Sequence, residues 1–78
     1  MPVYVIDQFV DARGMEHDAA MRRTTEAFRG LAPGQTAEVI ATDPLTFHDL
    51  VGWAAARSVE ILEATVDRGR YRFVLRHT

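Results

Sequence analysis

Asp11-Ala-Arg-Gly-Met-Glu-His-Asp-Ala-Ala20 is the stretch at which the chain changes period, and that change decides the fold. Upstream, Val3-Tyr-Val-Ile6 and Phe9-Val10 are β-branched and aromatic, as strands are, and Asp11-Ala-Arg-Gly14 closes the run. Downstream, Met21, Thr24 or Thr25, Phe28 and Leu31 recur at three- and four-residue steps, while Arg22, Arg23, Glu26 and Arg29 fill the other side. The patterns predict a strand over 3–12 and an amphipathic helix over 18–30. Asp18 is the expected N-cap, its carboxylate accepting from the free N–H groups of the first turn, and Gly30 the expected left-handed stop.

Beyond this helix, Ala32-Pro-Gly-Gln35 reads as a turn and Thr36 to Thr42 as a short interior strand halted by Thr42-Asp-Pro44. Phe47, Leu50, Val51 and Ala54 share one helical face, and Thr46 with Asp49 has capping-box spacing, so a second helix is expected over 46–57. Val59 to Val66 and Arg70 to Arg76 flank Asp67-Arg-Gly69, a hairpin signal. In the last strand Tyr71, Phe73 and Leu75 should face the helices, and Arg70, Arg72, Val74 and Arg76 water. The order β-α-β-α-β-β packs most economically as an α+β two-layer sandwich: a mixed four-stranded sheet with two helices on one face.

Seventy-eight residues suit a single domain, 1–78, with one modest core. An apolar content of 47% and a charged content of 26% are those of a soluble globular chain. With no membrane-length apolar run and no signal-peptide pattern, the expectation is a cytoplasmic protein. The chain has no cysteine, which excludes disulfides, thiolate metal sites, thiol nucleophiles and a persulfide carried on the protein. All nine basic residues are arginine, so lysine Schiff-base chemistry is absent too. A net charge of −2 argues against a dedicated nucleic-acid binder.

Pro33-Gly-Gln-Thr36, Val39-Ile-Ala-Thr-Asp-Pro44, Asp49-Leu50 and the closing Gly69-Arg-Tyr-Arg-Phe-Val-Leu-Arg76 resemble the TusA/SirA-like sulfur-carrier family over nearly the whole chain. They look like its Pro-Gly-x-Thr turn, its strand running into Asp-Pro, its second-helix Asp and its final Tyr-x-Phe strand. The resemblance implies the same two-layer fold. In that family, Asp-x-x-Gly-Leu-x-Cys-Pro-x-Pro places a sulfur-carrying Cys at the start of the first helix. Asp11-Ala-Arg-Gly-Met15 matches the lead-in, but His17 stands at the Cys position, Asp18 at the first Pro and Ala20 at the second. Imidazole holds no persulfide, so what the resemblance implies here is the scaffold with its docking surfaces, without the sulfur-carrier activity.

The sequence therefore assigns no catalytic residue and no cofactor. His17, Asp18, Glu16 and Asp11 form the candidate binding cluster, at a helix start whose free N–H groups favour negative charge. A lone His beside carboxylates suits a small metal site or an acid/base group, yet a solvated helix start is the more ordinary reading, and whether a metal binds stays open. Arg70, Arg72 and Arg76, with Arg68, can form a partner surface for an acidic protein or for RNA, unless Glu38, Glu60 and Glu63 neutralise them across strands. Trp53 lies off the main stripe, partly exposed, with core packing favoured over a ligand platform. His48 is expected on an exposed helix face and His77 at a frayed terminus. The expected function is a non-carrier module that binds another protein of sulfur metabolism. A metal-binding protein or enzyme centred on His17 and an RNA-binding module are the alternatives.

Overall fold

The computed structural model describes residues 4–78. Its elements are β1 (Gln8–Ala12), α1 (His17–Arg29), β2 (Thr36–Ala41), α2 (Pro44–Ala56), β3 (Val59–Asp67) and β4 (Arg70–His77). The sheet order is β1-β2-β4-β3, with β1 parallel to β2 and the other pairs antiparallel. This is the mixed sheet and β-α-β-α-β-β order predicted from periodicity. One row of side chains, Val10, Val39, Phe73 and Ala64, runs in register across all four strands, buried on β1, β2 and β4 and exposed at Ala64 on β3. The core forms where that face of the sheet meets Ala20 and Phe28 of α1 and Leu50 of α2.

Several expectations need correction. The first strand begins at Gln8, not at residue 3: Val3 lies outside the described residues, and residues 4–7 make no regular strand. Tyr4 instead sends its hydroxyl to the Leu62 carbonyl of β3, at 3.4 Å. Helix α1 begins one residue before Asp18, with Glu16 at the N-cap and no cap bond from its side chain. Gly30 ends it in a right-handed conformation at φ −88°, because its N–H bonds back to the Ala27 carbonyl and the Leu31 N–H to that of Phe28, as in a tightened last turn.

Helix α2 begins at Pro44, two residues before the expected start. Proline fits the first helical position, where the missing N–H has no partner to lose, and Asp43 is the N-cap, accepting from Leu45 N–H at 3.0 Å. Thr46 is thus inside the helix and fully buried, not a cap. Val51 is 42% exposed, and Thr46 takes its place on the buried face with Leu50 and Ala54. The β3–β4 turn places Arg68 at φ 52° and Gly69 at φ 78°, the paired positive values of a two-residue hairpin loop.

His77 is not frayed. It is the last residue of β4, half-buried, its N–H bonded to the Gln35 carbonyl at 2.9 Å and its ring stacked 6.3 Å from that of Phe28. Val74 departs from the predicted alternation in burial though not in direction. It lies on the face away from the helices, between Glu38 of β2 and Glu63 of β3 in register, yet is fully buried. Arg72, two residues earlier on the same face, bonds to both carboxylates and roofs it.

Candidate functional site

The two helices run side by side in the same direction, and their N-termini meet through one carboxylate. Asp43 Oδ1 caps α2, while Oδ2 accepts the N–H of His17, the first residue of α1, at 2.8 Å. The first N–H of α1 is thus satisfied by the residue that caps the other helix, and not by a cap within its own segment. Gly14 at φ 76° turns the chain into this junction, and its N–H donates to Thr42 Oγ1 at 2.9 Å. That φ suits a residue without a Cβ.

On this platform the His17 Nδ1–H donates to Asp49 Oδ2 of α2 at 2.9 Å, with Asp18 Oδ1 at 3.4 Å. The imidazole is 35% exposed. The hydrogen bond to Asp49 raises its pKa above the usual imidazole value; desolvation opposes this, and the charges of Asp18, Asp49 and Asp43 add to the rise. With Nδ1 committed to Asp49, Nε2 is the nitrogen left to take up or release a proton. The arrangement can hold a proton and present a cation that pairs with carboxylates. It offers no atom able to carry sulfane sulfur.

The predicted cluster is only partly brought together. Asp18 adjoins His17. Glu16 is exposed and makes no cap bond. Asp11 pairs with Arg13 instead, at 2.7 Å, and that guanidinium holds its carboxyl at about 2, well below the ordinary carboxylate range. Asp43 and Asp49 both bond to His17, whereas the sequence reading places them in a strand stop and a capping box. The Asp-Pro step at 43–44 carried the signal for the first, since Pro at the first helical position makes the preceding Asp an N-cap. Among the described residues, no group of three His, Asp or Glu is placed to hold a metal ion.

The arginines divide into two kinds. Arg72 bonds to Glu38 and, at 2.5 Å, to Glu63; Arg76 Nε bonds to Glu60 at 3.0 Å. Both guanidiniums are thus engaged within the sheet by the cross-strand carboxylates. Arg70 is exposed beside the hairpin loop, in register with Asp67.

Comparison with known proteins agrees with this architecture. The family model described as "Sulfurtransferase TusA" matches residues 8–77. A curated relative, "Sulfur carrier protein TusA" from Allochromatium vinosum, is 29% identical over 70 residues, covering 90% of this chain and 92% of its own length. The match extends across β1 and the altered junction to the end of β4, so the chain, with His17 where the resemblance places the carrier Cys, belongs to the TusA family.

Proposed function

We propose that this protein is a non-carrier TusA-family domain that acts by binding another protein of sulfur metabolism, with no persulfide transfer of its own. The observation that carries the reading is the state of position 17: a family scaffold intact across its sheet and helices presents an imidazole tied to Asp49 at the head of α1, in a chain without a thiol. Retained shape without the reacting atom suits recognition. The His17–Asp49 pair favours an acid/base role for the same residue as a second reading, because the carboxylate fixes which ring nitrogen is free. The metal-binding and RNA-binding alternatives draw less support. The site lacks a three-ligand group among the described residues, and Arg72 and Arg76 are already paired.

Two measurements test the proposal. With a cysteine desulfurase and radiolabelled cysteine, the Allochromatium vinosum carrier is expected to gain label and this chain to stay at background. An excess of this chain is then expected to slow labelling of that carrier by occupying a shared docking surface. Stable label on this chain overturns the non-carrier reading. Absence of competition, together with no measurable binding to the relay proteins, overturns the partner reading.

A further inference from the structure

The opposite end of the helix pair holds a cleft, and we propose that it binds a small organic anion with an aromatic body. The α1 residues that line it run from Thr25 to Arg29, so this cleft lies roughly 12–18 Å along the helix axis from the His17 junction, given about 1.5 Å of rise per residue. The proposal goes beyond the reading of that junction and is independent of it. The cavity measures about 420 Å³, within the roughly 300–1,000 Å³ typical of small-molecule sites. Phe28, Trp53 and Val59 line its apolar part, with the Phe28 and Trp53 rings edge to face at 5.0 Å and the His77 ring stacked on Phe28.

Two guanidiniums rim this apolar floor. Arg29 closes α1 and Arg57 follows α2; both are exposed, and neither forms an ion pair with a described carboxylate, whereas Arg13, Arg72 and Arg76 all do. A basic residue at a helix C-terminus can simply answer the negative end of the macrodipole. Here the backbone already closes those ends, through Gly30 N–H to Ala27, Leu31 N–H to Phe28 and Arg57 N–H to Ala54. Arg57 instead stands over the Trp53 ring, 5.4 Å from its centroid, where its charge is held above an apolar wall. Thr78, with the chain's terminal carboxylate, also borders the cleft, yet neither guanidinium is ion-paired to it. Two cations without a carboxylate partner beside an apolar floor favour an anion. A planar apolar body then has an aromatic surface to cover, and its acidic group two cations to meet.

Trp53 is the chain's single tryptophan and lies in the cleft wall, so occupancy is read from its own emission. The probe is anilinonaphthalene sulfonate, with neutral N-phenylnaphthylamine and inorganic sulfate as the two halves of its chemistry. One-to-one binding of the sulfonate with quenching of Trp53 is expected, roughly tenfold tighter than that of the neutral dye, and sulfate alone should compete only weakly. The exposed double variant Arg29→Gln/Arg57→Gln is expected to lose roughly tenfold in affinity for the sulfonate while binding the neutral dye unchanged. Its thermal unfolding, matched to that of the parent, separates lost binding from lost folding. Equal affinity for the two dyes, sulfonate binding that the double variant leaves intact, or binding without change in Trp53 emission overturns the proposal.

Discussion

At the scale of single residues, the hydrogen bond from His17 to Asp49 makes the imidazole titration a readout of the candidate site. Its pKa is raised in the folded protein. The stabilisation from this pair is therefore fully present below the unfolded value of about 6.5 and is lost as pH rises through the folded pKa. The stability difference between the parent and His17→Gln is expected to be largest in acid and to shrink as pH rises through neutrality, as measured by denaturant unfolding at several pH values. In an NMR titration, Asp49→Asn should bring the His17 midpoint down; an unmoved midpoint would show that Asp49 is not the dominant partner. The same carboxylates set the fate of a thiol placed here. In His17→Cys, the helix N-terminus favours the thiolate, but Asp18, Asp43 and Asp49 crowd the position and disfavour it. A folded protein with a sluggish thiol is expected, measured as alkylation rate against pH. Adding Asp18→Pro should speed it, since position 18 is exposed, lies in the first helical turn where proline fits, and loses a competing charge.

At the scale of elements, the junction shows what periodicity reveals and what it leaves out. Strand and helix identities were legible throughout, because apolar spacing reports which face is buried. The caps were not legible, because a cap is an exchange between particular N–H groups and oxygens that tertiary contact can supply from elsewhere. Asp18 looked like the cap of α1 from its sequence position, while the oxygen that meets the first N–H of the helix comes from Asp43, 26 residues beyond His17. Asp49 had the spacing of a capping box and instead faces His17. One carboxylate holding two helix starts predicts an unusually costly surface substitution. Asp43→Ala should lose about 2 kcal/mol, the sum of two caps at about 1 kcal/mol each, and Asp43→Ser, with one oxygen, roughly half of that. Equal losses for the two variants in urea unfolding would show that only one of the bonds matters. Ala20 adds a constraint on restoring the family motif, since its N–H donates to the Glu16 carbonyl at 3.0 Å and its side chain is fully buried. Ala20→Pro forfeits that bond and must fit a ring where a methyl sits, so it should cost about 1 kcal/mol or more of stability even if it improves the presentation of a thiol at position 17.

At the scale of the whole molecule, the sheet packs one face against the helices and carries its cross-strand ion pairs on the other. Alternation in β4 correctly predicted which side chains point to each face. It did not reveal that Val74 is buried, because that depends on register: only the pairing of Val74 with Glu38 on one side and Glu63 on the other lets Arg72 span both carboxylates above it. Arg72 thereby ties together three of the four strands, whereas Arg76 joins only β4 to β3. The ion pairs of the two arginines also differ in exposure: Arg72 is 36% exposed and its partners Glu38 and Glu63 19% and 33%, while Arg76 and Glu60 are 42% and 47%. Exposed pairs contribute little after solvent screening, but removing the shared cation from two partly buried carboxylates leaves like charges facing each other across Val74. Arg72→Met is therefore expected to cost about 1–2 kcal/mol, and Arg76→Met no more than about 0.5 kcal/mol, in denaturant unfolding near neutral pH. Lowering the pH until Glu38 and Glu63 are protonated should close most of the gap between the two variants, because the repulsion left by Arg72→Met then disappears. If both variants lose the same small amount at every pH, Val74 is sealed by packing alone and the charged roof carries no share of the sheet's stability.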